Sequence, residues 1–162
     1  MRPGLIVAAC ALSVVGCRAK HEATTGKEFF EKAHKAKKEK DVETVWKMMS
    51  KRSQEILVEA AKSQLERAKE SPEARESLKK SSGIEGDPTT LEPVALAKAL
   101  MKRHTEKDAS RIDKVRFVEE RTEGDKIILV TQEEGEDKEE LVLVKEDGFL
   151  RADMEATGAR RK

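Results

Sequence analysis

Apolar residues recur at intervals of three and four between residues 25 and 104, and Ser, Pro and Gly interrupt them. This spacing places apolar side chains on one face of a helix, so it predicts a series of amphipathic helices. Residues that can start a helix precede the series: Thr25 with Glu28, Asp41, Ser50 or Ser53, Ser71 with Pro72, and Thr89 with Glu92. The predicted buried stripes are Phe29, Phe30, Ala33 and Ala36; Val42, Val45, Trp46 and Met49; Leu57, Ala61, Leu65 and Ala68; and Val94, Ala97, Leu100, Met101 and His104.

From about residue 112 the apolar pattern is typical of strands. Runs at residues 115–120, 126–132, 140–145 and 149–154 are joined by short Gly-containing turns with acidic neighbours. Turns this short join antiparallel neighbours, so the runs predict a four-stranded antiparallel meander. Helices followed by strands predict an α+β domain rather than alternating parallel units.

Two of these strands are apolar on both faces. The runs IILV at residues 127–130 and LVLV at residues 141–144 lack the alternation of a strand with one solvated face. Because helices cover one face of the sheet, the other is expected to close over a cavity, receive another helix or pair with a second subunit. This is the best indication of binding in the sequence.

Composition narrows the classes of function. The chain has 162 residues, enough for one domain of ordinary size. Its 33 Lys and Arg residues nearly balance its 32 Asp and Glu residues, so no overall field attracts nucleic acid. Aromatic residues make up 3% of the chain, with no Tyr and one Trp, which argues against a stacking platform for bases or sugars.

The opening segment has the features of a secretion signal. Arg2 supplies a positive charge, residues 5–15 form an apolar run, and small residues precede Cys17. The run has eleven residues, well short of the roughly 20 that a membrane-spanning helix needs, so a permanent transmembrane anchor is the weaker interpretation. Residues 1–16 are therefore predicted to be a signal peptide.

The sequence VVGC at residues 14–17 resembles the lipobox of bacterial lipoproteins. The resemblance implies that Cys17 is the lipid attachment site, acylated on sulfur with chains such as palmitate, and that it becomes the new N-terminus. Several acyl chains make the attachment durable, because one chain alone holds only marginally. A similar string ends at Cys10, but only five apolar residues precede that cysteine. The alternative is an unmodified Cys17 thiol beside a conventional cleavage site, which would release a soluble secreted protein.

The residues around this site predict a location and a division of the chain. With Cys10 removed and Cys17 acylated, no cysteine is left for a disulfide, so the domain depends on its core. Arg18 rather than Asp follows Cys17, which in a Gram-negative host resembles lipoproteins sorted to the periplasmic face of the outer membrane. The predicted location is the cell envelope. Residues 17–24 are predicted to be the lipidated cysteine and a tether, residues 25–154 a single domain, and residues 155–162 a flexible basic tail.

Two further stretches carry a resemblance at the level of the fold. KKEKDVETVWKMMSKRSQEIL at residues 37–57 and LVLVKEDGFLRADM at residues 141–154 resemble small bacterial lipoproteins of the nuclear-transport-factor-2-like superfamily. The resemblance implies a sheet that curves like a cone around the helices, over residues 25–154. It also implies a pocket for a small molecule and dimerisation through the sheet. It assigns no reaction, because the superfamily includes isomerases, dehydratases and non-catalytic binders.

Few ionisable residues are candidates for catalysis. His34 and His104 lie beside apolar stripes, and Asp113 and Asp153 lie on or near strands. A lone His beside such a stripe is more often structural, and no spacing links the two. The sequence has no HExxH motif, no paired Cys and no alternating Asp and Asn ligands, so no metal site and no cofactor is predicted.

Three functional hypotheses follow. The preferred one is a non-enzymatic, lipid-anchored envelope protein that binds a small apolar ligand or a protein partner through its sheet or pocket, a homodimer being one form of partner. The second is a pocket enzyme of the isomerase or dehydratase type, carried by His34, His104, Asp113 or Asp153. The third is a structural or assembly factor of the envelope that docks through the charged helix surface of residues 51–80.

Overall fold

The computed structural model describes residues 19–160, apart from the side chains of residues 108 and 109. Helices come first and strands afterwards, which confirms the predicted α+β fold. The helices are α1 Gly26–Lys38, α2 Val42–Lys47, α3 Lys51–Glu70, α4 Pro72–Ser82 and α5 Pro93–Ile112, with a 3₁₀ turn at Pro88–Thr90. The strands are β1 Val115–Glu123, β2 Lys126–Glu133, β3 Lys138–Glu146 and β4 Phe149–Ala152, and a last helix, α6, spans Met154–Arg160.

Side chains cap the starts of the first four helices, as the sequence predicts. In each case an oxygen accepts an N–H of the first helical turn: Thr25 from Glu28, Asp41 from Thr44, Ser50 from Ser53, and Ser71 from Ala74. These caps satisfy donors that have no partner within the helix.

The capping box predicted at Thr89 and Glu92 is wrong. Thr89 lies in the 3₁₀ turn, which Asp87 caps, and α5 begins at Pro93 after Glu92. Pro suits the first helical position because its fixed φ is helical and its missing N–H would have no partner there.

The four strands form an antiparallel meander in the order β1-β2-β3-β4, as predicted. Ile128 lies opposite Val142, so the two apolar runs are adjacent in the sheet. The pairing of β1 with β2 shifts between Phe117 and Glu119, which marks a bulge. A bulge bends and twists its strand, and this one lies on an edge strand of the sheet.

One face of the sheet, the inner face, packs against the helices. Phe29 of α1 and Met48 meet Leu129 and Leu143, and each of these four side chains is at most 3% exposed. A second cluster lies among the helices and consists of Trp46, Met49, Ala61, Leu65, Ala68, Leu78, Leu96 and Ala97. Trp46 belongs to it and is 8% exposed, as expected for a core residue.

The outer face of the sheet is covered by α6. Ile128, Val130 and Val142 are between 0% and 2% exposed, and Ala156 of α6 packs against them. Of the three covers expected for strands that are apolar on both faces, the chain uses another helix. The flexible tail expected at residues 155–162 is therefore replaced by a packed helix over residues 155–160.

Hydrogen bonds hold α6 at the end of β4. The Thr157 hydroxyl accepts the Val142 N–H at 2.9 Å and donates to the Asp153 carbonyl at 2.6 Å. The Asp153 N–H donates to the Val142 carbonyl at 2.8 Å, and the Asp153 carboxylate caps α6 through the Ala156 N–H. The hydrogen bonds between β4 and β3 therefore continue past the end of β4, where the start of α6 takes its place beside β3.

Candidate functional site

Residues 19–24, which follow the predicted lipid attachment site, are part of the folded domain, and we call them the docked segment. Ala23 is 0% exposed, and its carbonyl accepts the Leu150 N–H at 2.7 Å. The Arg151 guanidinium donates to the His21 carbonyl at 2.9 Å. The tether expected at residues 17–24 is therefore replaced, from residue 19 onward, by a segment packed beside β4.

Two carboxylates fix the ends of the docked segment. Glu22 accepts the Ala19 N–H at 3.0 Å, and Glu28 accepts the Thr24 N–H at 2.9 Å. Glu28 also pairs with Lys32 at 2.9 Å. These hydrogen bonds, the one from the Thr24 N–H above all, lower the pKa of Glu28 to about 2. The carboxylate therefore stays ionised and bound at neutral pH.

Basic residues lie near His21, and we call Lys20, which precedes it in the chain, Lys47 and Arg151 the cationic patch. The Lys20 side chain is 71% exposed and pairs with Asp41 at 3.6 Å. Partial burial lowers the pKa of His21, and the positive charges of Arg151 and Lys47 lower it further. Burial is the largest cause of this shift, and the nearby positive charges add to it.

Cys17 and the predicted signal peptide lie outside the described residues. The lipid attachment site is therefore defined by the sequence alone, at the second position before Ala19. The structure adds the surroundings of the residues that follow this site, from Ala19 onward.

A network of ion pairs borders α6 on the outer face of the sheet. Arg160 contacts Glu123 of β1 at 2.7 Å and Glu140 of β3 at 2.8 Å, and Arg121 pairs with Glu140 as well. Hydrogen bonds from Arg160 lower the pKa of both Glu123 and Glu140. The network ties the last turn of α6 to two strands.

Two of the four residues singled out for catalysis are neighbours, where α1 meets the end of α5. The His34 Nε2–H donates to the Ile112 carbonyl at 2.8 Å, which is a structural role. Asp113 is 66% exposed and pairs with Lys38 at 2.7 Å, and the hydrogen bond from Lys38 lowers its pKa. An exposed, paired carboxylate beside a His already bound to the backbone does not form a water-poor catalytic site.

The other two candidates lie elsewhere. His104 is on the exposed surface of α5, and Asp153 caps α6. Two open surface depressions border α4, and neither includes a catalytic candidate. One is lined by Pro72, Glu73, Glu76, Ser77 and Lys80, and the other by Arg75, Glu76, Lys79, Glu85, Gly86, Asp87 and Pro88.

The described residues form neither a group of metal ligands nor a membrane-spanning helix. Within residues 19–160, leaving aside residues 108 and 109, no three His, Cys, Asp or Glu side chains are grouped so that they could hold a metal ion. No helix in that range combines the length and the apolar character needed to cross a bilayer.

Comparison with known proteins found no match: no family model, no curated protein and no solved structure is similar to this chain. The resemblances to bacterial lipoproteins and to the nuclear-transport-factor-2-like superfamily therefore stay predictions. So do the pocket and the dimer that the second resemblance implies.

Sequence reasoning missed the docked segment. Ala23 belongs to no apolar stripe, and the contact that fixes it uses its backbone carbonyl, which every residue has. A usable sign was Glu28, whose capping-box spacing predicts that its carboxylate reaches back toward the start of α1. The carboxylate binds the Thr24 N–H, one residue before the capping residue.

Proposed function

We propose that this chain is a lipid-anchored protein of the cell envelope and that its domain acts by binding a protein partner at its surface rather than by catalysis. The observation that carries the proposal is the docked segment. The described chain is already held at Ala19, two residues after the predicted acylation site, and the contacts that fix Ala23 lie within residues 19–160. Removal of residues 1–16 therefore leaves these contacts intact.

The covering of the sheet supports a surface rather than an internal ligand site. The outer apolar face, around Ile128 and Val142, is filled by Ala156 and Thr157 of α6. A partner that approaches this side meets α6 instead of a cavity. Met154, at the start of α6, is 50% exposed, and it is the apolar side chain of this helix that we propose a partner contacts.

Metabolic labelling with radioactive palmitate, in a bacterial host that processes lipoproteins, tests the anchor. Wild type and Cys10→Ala should be labelled equally, because residue 10 is removed with the signal peptide. Cys17→Ala should carry no label. Equal labelling of Cys17→Ala and wild type would contradict the proposal, as would a loss of label confined to Cys10→Ala.

Site-specific photocrosslinking in intact cells tests the surface. A photoreactive residue in place of Met154 should give a discrete crosslinked protein species. The same residue in place of exposed Glu31 on α1 is the matched control and should not give that species. Identical patterns from both positions would refute a partner site on α6.

A further inference from the structure

We propose that the domain rests directly on the membrane, with the cationic patch of Lys20, Lys47 and Arg151 against the phosphate groups of anionic phospholipids. This inference rests on the proposed function, because it requires acyl chains on Cys17.

The path from the anchor to the domain is short. Cys17 lies two residues before Ala19, and two residues span at most about 7 Å. The docked segment adds no reach, because Ala23 is buried and bound to Leu150. An acylated Cys17 therefore keeps the start of the domain close to the lipid.

Three cationic side chains lie beside this start, two of them exposed and that of Arg151 half-buried. Lys20 is the second residue of the docked segment, and its side chain is 71% exposed. Lys47 is exposed on α2, and its charge acts on His21. Arg151 reaches the same place from β4, since it binds the His21 carbonyl at 2.9 Å. Three elements that are distant in the sequence thus contribute one positive surface.

The neighbouring acids are engaged by the protein itself. The Asp41 carboxylate accepts the Thr44 N–H at 3.0 Å and the Thr44 hydroxyl at 2.9 Å, as the cap of α2. The Glu22 carboxylate accepts the Ala19 N–H. The Asp41 carboxylate also pairs with Lys20 at 3.6 Å and offsets part of its charge, so lipid phosphates compete with Asp41 for the Lys20 ammonium.

The length of the connection decides whether this patch acts on headgroups. Attraction between exposed charges is screened beyond about 8 Å at physiological ionic strength. The chain from Cys17 to Ala19 reaches at most about 7 Å, so it holds the start of the domain near the headgroups, whereas a long flexible tether would let the patch move beyond that range. Basic residues next to an anionic leaflet are attracted to its phosphates. The docked segment therefore turns scattered basic residues into a membrane-facing surface.

Fluorescence quenching in vesicles tests the orientation. The full lipidated protein is purified from membranes and reconstituted in equal amounts of phosphatidylcholine and phosphatidylglycerol with a quencher on some headgroups. Cys17 is the only cysteine left after processing and its sulfur is acylated, so an introduced thiol is unique. A fluorophore is attached at Lys47→Cys in the patch or at Glu76→Cys on α4, which packs on α3 and α5. Lys20→Cys and Lys80→Cys form a second pair, in case one of the first variants fails to fold.

The patch probes should be quenched more strongly than the α4 probes. The difference should disappear when a 20-residue Gly-Ser segment, with a mean reach of about 25 Å, is inserted after Arg18. It should shrink in pure phosphatidylcholine. Equal quenching of both probes in palmitate-labelled protein would overturn the inference, as would a difference that survives the insertion or one that is as large in pure phosphatidylcholine as in the anionic vesicles. Protein that carries no palmitate and does not float with vesicles would instead overturn the proposed function.

Discussion

Replacing Thr157 with Val removes one hydroxyl from the joint between α6 and β3 and keeps the shape of the side chain. Val142 is 1% exposed and Thr157 is 4% exposed, so water does not replace the lost partner of the Val142 N–H. A buried donor left without a partner costs about 1–3 kcal/mol. We expect the free energy of unfolding to fall by about that amount, and the melting temperature by about 2–4 °C for each kcal/mol in a domain near this size.

Urea unfolding followed by Trp46 fluorescence measures this effect. Trp46 is the only Trp and is buried in the cluster between the helices, so its emission reports unfolding of the domain rather than of α6 alone. Thr122→Val, at an exposed position of β1, is the matched control and should change the free energy of unfolding by less than about 0.5 kcal/mol. If Thr157→Val is as stable as Thr122→Val, α6 does not cover the sheet through this hydroxyl, and the account of the outer face is wrong.

Three further substitutions test other joints of the fold. Ser53 is 1% exposed, and its hydroxyl donates to a β4 carbonyl and accepts an α6 N–H. Ser53→Ala should therefore lower the free energy of unfolding, measured in urea, by about 1–3 kcal/mol. The control, Ser63→Ala at an exposed position of the same helix, should not lower it. Folding lowers the pKa of Glu28 from 4.5 to about 2, so its carboxylate stabilises the fold above pH 4.5, and this contribution is lost as the pH falls towards 2. Urea unfolding at several pH values should show that Glu28→Gln lacks this part of the acid sensitivity and that exposed Glu31→Gln keeps it; equal acid sensitivity of the two variants would contradict the assignment. Gly83 ends α4 at a φ of 70°, so Gly83→Ala should lower stability by about 1–2 kcal/mol in thermal unfolding.

Most helices and all four strands could be predicted because their cause is local. Trp46 and its neighbours repeat at helical spacing, and the caps at Asp41 and Ser50 are read directly from the residue types. Strand ends were less predictable. β1 continues to Glu123 through exposed residues such as Thr122, because pairing with β2 uses the backbone and needs no apolar side chain.

The last helix could not be predicted from periodicity because it is too short to show any. α6 has seven residues and buries a methyl group and a hydroxyl, from Ala156 and Thr157, rather than an apolar stripe. Its sequence signs were Asp153 at the capping position and Glu155 in the first turn, where an acid is favourable. The two strands that are apolar on both faces predict that something covers the outer face of the sheet. The sequence therefore indicates the need for a cover, but not that residues 154–160 supply it.

The candidate site, too, has one part that the local sequence predicts and another that it does not. The predicted acylation of Cys17 rests on a local sequence pattern, and the structure does not describe that residue. The setting of the site depends on long-range contacts, because Lys47 and Arg151 come beside His21 only when α2 and β4 are in place. Amino-acid composition does not distinguish a flexible tether from a docked segment when the contacts that hold the segment are backbone hydrogen bonds, because every residue has a backbone carbonyl.

β4 joins the docked segment to the rest of the fold, although it has only four residues. The Leu150 N–H donates to the Ala23 carbonyl, the Ala152 N–H donates to the Met48 carbonyl at 2.8 Å, and the Ala152 carbonyl accepts the Ser50 N–H at 2.9 Å. One edge of β4 therefore pairs with β3, and the other binds chain from before α1 and from the junction of α2 with α3. A force on a lipid attached just before the docked segment would reach the sheet through the Ala23–Leu150 hydrogen bond. If Cys17 is acylated as proposed, that contact and not the length of a flexible linker would limit how far the domain stands from the bilayer.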